Sequence, residues 1–395
     1  MMRLNWGKDL YIKGRIGWKG LNKDEYLTTG EYRIINATAL MDGYIDWNNC
    51  GYISKERYYE SEEIMLQNGD ILISKDGTLG KIGYVKNIPF KCSVASGIFV
   101  VRNLIPDKLD FDYLYHLLKS SVFKEYVNKK KTDGSTINHL YQSDLEKFVI
   151  DIPDIKEQKK ISKLLNHIDK KIENNKTMNK NIDKYSRLYL DKIMSNKNIK
   201  KKVIKFGDLF ESQAGYAFKS SDWKKNGDSV LTIKSLNDDI LNLNNVSYIN
   251  TSHGKKLEKY KVKNGNIVFA MSGNTIGKVG LVAIDLQNVY VNQRVLNILT
   301  NDNNLTFIFN IIRDESFQKI VFRLGANSAQ PNISEQDLKN IMIEAPDTNT
   351  MNKYNELFKP YYKVYINNII ENYNLNNYKS FLLPQFMANK IKVED

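Results

Sequence analysis

Two segments rich in glycine and lysine are the part of this sequence that most suggests chemistry. The first, Gly77–Lys81 (Gly-Thr-Leu-Gly-Lys), superficially has the composition of a phosphate-binding loop. A nucleotide-binding P-loop needs four residues between its first glycine and the Gly-Lys pair, and a Ser or Thr directly after the lysine. This segment has a shorter spacer and Ile82 after the lysine. We therefore interpret it as a turn that ends in a lysine, and not as a nucleotide site.

Other patterns of catalytic residues are incomplete as well. The segment Pro153–Lys159 mimics a metal-nuclease signature, but its spacing is too short, and its Asp154 and Glu157 suit the capping box of a helix. The sequence contains no Pro-Pro pair, so it lacks an Asn/Asp-Pro-Pro-Tyr/Phe loop that could hold a flipped base. No Gly-x-Gly follows a strand, where it could cradle a nucleotide or S-adenosylmethionine. We predict a protein without catalysis of its own.

The cysteines and histidines predict no metal site. The two cysteines are too few for a disulfide-rich fold, and the four histidines form no ligand pair at helical or hairpin spacing. We interpret all six as structural or exposed residues: Cys50, Cys92, His116, His139, His167 and His253.

The net charge of +13 and the isoelectric point of about 9.2 are typical of a protein that binds a polyanion. An AT-rich genome also raises the Lys, Asn and Ile content, so the charge alone leaves both interpretations open. No apolar run approaches the ~18 residues that a membrane helix needs, and no signal-peptide stretch follows Arg3. These observations predict a soluble, cytoplasmic protein.

The strongest pattern in the chain is an internal repeat. The segments Gly69–Gly83 and Gly265–Gly280 share four glycines and a lysine, with one residue inserted in the second copy. Each copy predicts a strand, a glycine-bearing turn and a second strand. Each is followed by another strand, an amphipathic helix, a loop of small residues and a strand that ends at Pro153 or Pro346. The recurrence of this order indicates a duplication.

A long helix is predicted after the first copy. From Lys156 to about Asn196 the chain contains no Pro or Gly, and a heptad pattern begins at Ile161. Row a consists of Ile161, Ile168, Asn175, Ile182 and Tyr189, and row d of Leu164, Met178 and Tyr185, interrupted by Lys171 and Lys192. Asn175 either fixes the register of a helix pair or is an ordinary surface residue.

A second long helix is predicted from about Met351 to Leu383, after the second copy. Pro360 should kink this helix or mark its start, and Pro384 should end it. Its apolar stripe consists of Tyr354, Phe358, Tyr361, Tyr365, Ile369 and Tyr373. Packed antiparallel, the two helices would hold the β-rich units apart at a fixed distance.

Taken together, these segments resemble the specificity subunits of type I restriction-modification systems. Gly69–Gly83 resembles the motif of their target-recognition domains, and Gly14–Tyr26 resembles a recurring type of such domain. Ile152–Ile161 and Leu165–Asn175 are similar to their central conserved region, and Leu382–Ile391 to the distal one. The resemblance covers nearly the whole chain.

The resemblance implies an α+β fold with two pseudo-repeated β-rich target-recognition domains. Two long helices, packed as an antiparallel coiled coil, would separate them. The expected segments are a first recognition domain (1–153), a central conserved helix (154–200), a second recognition domain (201–346) and a distal conserved helix (347–395).

The resemblance further implies a subunit without catalysis that recognises a bipartite double-stranded DNA site. Each recognition domain would read one half of the site, and the helices would bind two methyltransferase subunits that modify adenine. S-adenosylmethionine, ATP and Mg²⁺ would belong to partner subunits, and ATP-driven restriction subunits can join the complex. No cofactor is expected in this chain.

Side chains on the predicted loops are the candidates for contacting DNA, because Gln and Arg suit adenine and guanine edges and Lys suits phosphates. Each is equally compatible with a solvated loop side chain, and Trp18 with a packing role. In the first half the candidates are Lys13, Arg15, Trp18, Lys19, Lys75, Thr78, Lys81, Ser135 and Thr136. In the second half they are Lys219, Lys234, Ser272, Asn274, Thr275, Lys278, Gln293, Arg294, Asn327 and Gln330.

The helix faces supply candidates for partner contacts: Ile161, Leu164, Ile168, Ile182, Tyr185, Tyr354, Phe358, Tyr361, Tyr365 and Ile369. Two other functions stay open at this point. One is a scaffold protein with two adhesion units, which salt-dependent binding of DNA would argue against. The other is a standalone nuclease, which DNA cleavage by the purified chain would support.

Overall fold

The computed structural model describes residues 1–16, 20–41, 43–130, 139–237, 239–250, 257–301, 303–326, 331–388 and 390–393, without the side chains of residues 237, 239, 240 and 244. The chain divides into two compact units. The first comprises Met1–Lys171 with Leu375–Asp395, and the second comprises Ile172–Asn374. The boundary between the two units therefore crosses the chain twice, once within each long helix. The predicted segment boundaries, in contrast, fall at the ends of these helices.

The first unit alternates short strands and helices before the central helix. In chain order these elements are β1 (Met2–Asn5), α1 (Trp6–Asp9), β2 (Leu10–Gly14), β3 (Tyr32–Ile35), β4 (Gly51–Ile53), α2 (Lys55–Tyr59), β5 (Ile71–Ser74), β6 (Ile82–Tyr84), β7 (Cys92–Val94), β8 (Ile98–Asn103), α3 (Phe111–Lys119), α4 (Ser121–Lys129), α5 (Gln142–Glu146), β9 (Val149–Ile152) and α6 (Ile155–Ser195).

Two sheets and a strand pair organise this unit. One sheet has the antiparallel order β2-β8-β5-β6, and in the other β3 lies between β4 and β7, parallel to β7. β1 pairs with β9. Strand β5 is buried on both faces: Ile71 and Ile73 pack with Trp6, and Leu72 packs with Val94 in another core. This double burial explains its continuous apolar run.

The second unit contains the remaining strands and helices. In chain order they are β10 (Lys201–Lys205), β11 (Glu211–Ala214), β12 (Trp223–Lys224), β13 (Asp228–Leu231), β14 (Leu236–Asn237), β15 (Asp239–Leu241), β16 (Ser247–Ile249), β17 (Ile267–Ala270), β18 (Val279–Leu281), β19 (Val289–Val291), β20 (Val295–Leu299), α7 (Leu305–Ile311), α8 (Glu315–Gly325), α9 (Glu335–Lys339), β21 (Met342–Pro346) and α10 (Thr348–Met387).

The strand pairing of the first unit recurs in the second. The order β11-β20-β17-β18 corresponds to β2-β8-β5-β6 and is extended by β15 and β14. Strand β13 lies between β16 and β19 and is parallel to β19, as β3 is to β7, and β10 pairs with β21 as β1 pairs with β9. The duplication predicted from the glycine pattern is thereby confirmed.

The two long helices begin at equivalent aspartate caps. Asp154 Oδ1 accepts hydrogen bonds from the backbone N–H groups of Lys156 and Glu157, and these bonds hold the pKa of the Asp154 carboxyl below its usual value. Asp347 caps α10 in the same way, through the backbone N–H and hydroxyl of Thr350. The predicted capping box is incomplete, because Glu157 accepts instead from the Val393 N–H.

The predicted heptad register of α6 is correct for three positions of row a and wrong for row d, and Tyr189 of row a is 43% exposed. Ile161, Asn175 and Ile182 are buried as predicted, but the second buried row lies one residue later than row d. It consists of Leu165, Ile172, Asn179, Ser186 and Ile193. Met178 and Tyr185 are exposed, and Lys171 and Lys192 lie outside the seam rather than interrupting it.

Helix α10 is longer than predicted at both ends and includes both prolines. It starts three residues earlier, because Asp347 provides the cap, and it passes through Pro360, which is exposed. Pro384 does not end the helix, since a proline lacks its own N–H but can still accept. Its carbonyl accepts from the Ala388 N–H at 2.9 Å.

Within the second unit, α6 and α10 pack antiparallel through pairs of asparagines. Asn175 Nδ2 donates to Asn372 Oδ1 at 2.9 Å, and Asn368 Nδ2 donates to Asn179 Oδ1 at 2.8 Å. Asn175 and Asn368 lie equally far from their respective cap residues, as do Asn179 and Asn372, so the two bonds are related by the duplication. Asn175 is therefore a buried seam residue that pairs the helices, and not a surface residue.

Candidate nucleic-acid interface

In the first unit, a glycine turn (Lys75–Lys81) connects β5 to β6. Gly77 and Gly80 have φ angles of +67° and +75°, a left-handed conformation that glycine adopts at low cost. Ser74 ties the turn together, because its hydroxyl donates to the Thr78 carbonyl and accepts from the Lys81 N–H at 2.9 Å. Thr78 and Lys81 are exposed at the surface.

The second unit has the same turn (Met271–Lys278) between β17 and β18. Gly273 and Gly277 have φ angles of +74° and +82°. Asn274 is exposed, and the hydroxyl of Thr275 donates back to the Ser272 carbonyl at 3.3 Å. The turn chemistry predicted from the repeated glycines is therefore present in both copies.

At the start of the second turn, three segments meet in what we call the second junction: Ser272, Arg294 and Asn332. The Met271 N–H donates to the Arg294 carbonyl at 3.0 Å, and the Arg294 guanidinium donates to the Ser272 hydroxyl at 3.2 Å. Asn332 forms a β-bridge with Ser272. Two of the predicted DNA-contacting residues are thus brought together.

The equivalent first junction consists of Asp76, Gly97 and His139. The Lys75 N–H donates to the Gly97 carbonyl at 2.9 Å, which matches the bond between Met271 and Arg294. Asp76 forms a β-bridge with His139, and the Asp76 carboxylate bonds the imidazole Nδ1. The backbone arrangement is repeated, but every one of the three side chains differs.

Sequence reasoning missed Asp76 and His139 at the first junction and Asn332 at the second. Asp76 directly follows Lys75, a predicted DNA contact, so its position within the repeated turn could have identified it. His139 directly follows the residues 131–138, which lie outside the described chain. No local pattern marks it, because its carboxylate partner lies 63 residues away in the sequence.

Arg15 contradicts the prediction that it contacts DNA. Its side chain is 2 % exposed, and its guanidinium donates to the Val94 carbonyl and to the hydroxyls of Ser61 and Ser93. Burial lowers the pKa of Arg15, and these three protein acceptors hold the cation. Arg15 is a structural residue that joins β7 to the segment around Ser61.

Lys75 is also less accessible than predicted. It is half-buried, with its Nζ atom 4.9 Å from the centre of the Phe99 ring. Burial lowers its pKa, and the neighbouring Asp76 opposes that effect. The lysine therefore lies along the base of the first turn.

Ser272 is 3% exposed, which contradicts its prediction as a DNA contact, because the turn and Arg294 enclose its hydroxyl; Thr275 and Lys278 are partly buried. The remaining predicted DNA contacts are exposed or lie outside the described residues. Gln293 is exposed beside Arg294, and its N–H donates to the Tyr216 carbonyl at 2.9 Å. Lys13 is exposed on β2. Lys219 and Lys234 are exposed in turns that are distant in sequence from the residues of the second junction. Trp18, Lys19, Ser135, Thr136, Asn327 and Gln330 lie outside the described residues.

An aromatic cluster borders the second junction and was not predicted. Tyr216 packs against both Phe218 and Tyr260, and Phe218 packs against Trp223, with ring centroids 4.9 to 5.3 Å apart. The signal for it was the Tyr-x-Phe spacing near the start of the second repeat. The cluster supports the backbone that presents Gln293.

The predicted partner-contact residues fall into three groups. Ile161, Ile182, Tyr354, Phe358 and Tyr365 are buried in the cores, which contradicts a role in direct partner contact, because the duplicated units use these side chains for their own packing. Leu164, Ile168 and Ile369 are partly buried. Tyr185 and Tyr361 are 62 % and 51 % exposed.

The two exposed tyrosines border an apolar groove in the second unit. The groove lies between α6 and α10 and has a volume of about 890 Å³. Met178, Leu357 and Val364 also line it, and all three are substantially exposed. It is an exposed apolar part of the helix surface in the second unit.

A buried polar network supports the helix α3 in the first unit. His116 is fully buried, with its Nε2 atom 2.9 Å from Asn166 Oδ1, and Asn166 donates to Asp112 at 2.7 Å. Burial, reinforced by the nearby Lys379 cation, lowers the pKa of His116 to about 4. The imidazole is therefore neutral in the folded protein at pH 7.

No cluster of three or more histidine, cysteine or carboxylate side chains suited to a metal ion occurs among the described residues. Within the same residues, no helix combines the length and apolarity needed to cross a membrane.

Comparisons with known proteins identify a family model and several proteins that are similar to this chain. Residues 16–184 and 198–377 both match the family described as the type I restriction modification DNA specificity domain. The specificity subunit of the MjaVIII type I restriction enzyme from Methanocaldococcus jannaschii is 26% identical over 419 aligned residues, which cover 98% of this chain and 91% of the relative. A putative type I restriction enzyme specificity subunit of Haemophilus influenzae is 34% identical over 122 residues, 30% of this chain and 29% of the relative.

A solved structure has a similar fold. The crystal structure of a type I restriction-modification S subunit from M. genitalium matches with a TM-score of 0.60 at 15% identity, covering 98% of this chain and 95% of that one. The two family matches take up most of the chain and coincide with its two repeated halves. The chain belongs to the type I restriction modification DNA specificity domain family, as a specificity subunit of a type I restriction-modification system.

Proposed function

We propose that this specificity subunit reads a bipartite double-stranded DNA site, with one half assigned to each β-rich repeat. The observation that carries the proposal is the pair of junctions. One backbone arrangement joins Asp76, Gly97 and His139 in the first copy and Ser272, Arg294 and Asn332 in the second, where Arg294 and Asn332 are exposed. A repeated scaffold with different polar side chains is what two different half-sites require.

The side-chain chemistry fits base edges. An arginine donates to the O6 and N7 atoms of guanine, an asparagine or glutamine pairs with adenine, and a carboxylate accepts from the cytosine amino group. Arg294 and Gln293 are adjacent and exposed, and Asp76 is only partly engaged by His139 at the surface. The exposed lysines near the turns would contact phosphates and set the register on the duplex.

The chain itself would carry no catalysis. Two methyltransferase subunits would dock on it and methylate an adenine in each half-site, using S-adenosylmethionine. Restriction subunits that use ATP and Mg²⁺ can complete the assembly. The apolar groove bordered by Tyr185 and Tyr361 supports docking on the helices, because exposed aromatic side chains commonly anchor protein interfaces.

Sequencing of adenine methylation in the host genome tests the proposal. The expected result is a single methylated motif made of two defined halves around an unspecified spacer, which disappears when this chain is deleted. A continuous motif, or a motif unaffected by the deletion, would overturn the proposal.

A further inference from the structure

A small cationic cavity lies beside the second glycine turn, at its lysine end. It has a volume of about 250 Å³ and is lined by Arg187 of α6, Lys278 of the turn and Arg313 between α7 and α8. Gln318 and Phe322 from α8 also line it, together with Ile276, Gly277 and Val279. Three cations from separate elements therefore converge on one space in the second unit.

The backbone that carries Lys278 is fixed in place by Gln318. The Gln318 side-chain amide donates to the carbonyls of Gly277 at 3.0 Å and Ile312 at 2.6 Å, which ties the turn to the start of α8. A Cβ atom on Gly277 would come within 2.4 Å of the Gln318 oxygen. The close approach that places Lys278 at the cavity therefore depends on this glycine.

The arginines are organised by one carboxylate. Asp183 accepts two hydrogen bonds from the Arg313 guanidinium, at 2.7 and 2.8 Å, and lies 3.7 Å from the Arg187 guanidinium. The Arg313 side chain is 2% exposed, so Asp183 holds its guanidinium at the back of the cavity. The Arg187 side chain is 42% exposed, so it can reach a ligand from the solvent side.

We propose that this cavity binds a phosphodiester group of the DNA backbone, an inference that rests on the proposed function. Guanidinium and ammonium groups that line one space are suited to phosphate oxygens. The same turn carries Ser272 and Asn274 at its other end, so a phosphate held at Lys278 would set the position of the second junction on the bases. Lysines also stand at the equivalent positions of the first unit, Lys81 and Lys119.

The test is the salt dependence of duplex binding by the full-length chain. A mixed-sequence duplex of about 30 base pairs is titrated at several salt concentrations with the wild type, Arg187→Gln, Lys278→Gln and the double variant. Loss of the contact to this one phosphate should reduce the slope of log K against log salt by about one unit, and the double variant should also lose about one, because both side chains bind the same phosphate. Arg187→Lys, which keeps the charge, should retain most of the slope.

Lys192→Gln is the matched control, because it removes one exposed cation from the same helix outside the cavity. Thermal melting confirms that each variant is folded. An unchanged slope in the double variant, or an equal loss in the control, would overturn the inference.

If inorganic phosphate raises the melting temperature of the wild type but not of the double variant, while the DNA slopes stay equal, the cavity takes a free anion instead. A wild-type chain without any salt-dependent duplex binding would count against the proposed function itself.

Discussion

At the residue scale, His116 and Asn310 occupy equivalent positions of α3 and α7, and both are buried beside the long helices. Asn310 donates to the Thr306 carbonyl and to the hydroxyls of Ser186 and Tyr354. His116 bonds Asn166 through Nε2, and its Nδ1 atom has no hydrogen-bond partner among the described residues. The two copies therefore satisfy the same buried position with different chemistry, and only the first copy can titrate there.

The lowered pKa of His116 predicts a loss of stability in mild acid. The folded-state pKa of about 4 lies below the ordinary value of 6.5. Between pH 4 and pH 6.5 the imidazole is therefore protonated in the unfolded chain but neutral in the folded chain. The stabilisation is complete above pH 6.5 and is lost as the pH falls toward 4. His116→Asn should reduce the fall in unfolding free energy between pH 7 and pH 4.5 by roughly 2–3 kcal/mol.

Urea denaturation of the full chain, followed by tryptophan fluorescence at both pH values, measures this difference. His167→Asn is the control, because His167 is exposed on α6. An equal pH dependence in the wild type and in His116→Asn would contradict the assignment.

At the scale of elements, the helix pair of the second unit depends on polar contacts in its seam. Asn179 donates to the Tyr365 carbonyl and accepts from Asn368, so both asparagines are buried with partners. Buried asparagines of this kind select one register of a helix pair at some cost in stability. A leucine seam would tolerate other registers.

A double-mutant cycle tests the asparagine pair. Asn179→Leu alone leaves the Asn368 amide buried without its partner and should lower the unfolding free energy by about 1–3 kcal/mol. The double variant Asn179→Leu/Asn368→Leu should lose less than the sum of the two single losses. Urea denaturation gives the three values, and Asn367→Leu on the exposed face of α10 is the control. Strictly additive losses would show that the pair is not coupled.

The apolar groove between α6 and α10 gives a second prediction at this scale. Deletion of α10 would be a poor test, because Tyr354, Phe358, Tyr362 and Tyr365 belong to the core of the second unit. Tyr185→Ser/Tyr361→Ser should instead weaken binding of the methyltransferase subunit at least tenfold, since interface aromatics often contribute 2 kcal/mol or more. Co-purification and titration measure the loss, with the equally exposed Tyr378→Ser as control. Unchanged assembly would remove the groove from the interface.

The sequence predicted the repeated elements well because glycine positions and apolar runs are local signals. It could not choose between adjacent apolar residues for the helix seam: Leu164 and Leu165 fit equally, and the partner helix decides which is buried. Arg15 was misjudged because its acceptors lie 46 to 79 residues away in sequence. Asp76 and His139 are 63 residues apart, so only the fold brings them together.

At the scale of the whole molecule, two versions of one junction should act independently on the target. Arg294→Ala should relax recognition in one half of the methylated motif, with a loss of about 1–3 kcal/mol of discrimination at one base pair, and leave the other half unchanged. Methylation sequencing of cells that carry the variant measures this directly. Lys353→Ala, an exposed cation on α10, is the control. Changes in both halves, or in neither, would contradict independent reading.

The junctions also bear on how readily such a protein acquires new targets. Each junction contains one hydrogen bond that needs no particular side chain, from the Lys75 N–H to the Gly97 carbonyl and from the Met271 N–H to the Arg294 carbonyl. A Cβ atom added at Gly97 would meet Asp76 only at ordinary contact distance, so even this position has room for a side chain. Substitutions at Gly97, Arg294 or Asn332 can alter the chemistry offered to DNA while these backbone bonds persist. Mutational drift can therefore explore new recognition at little cost to folding.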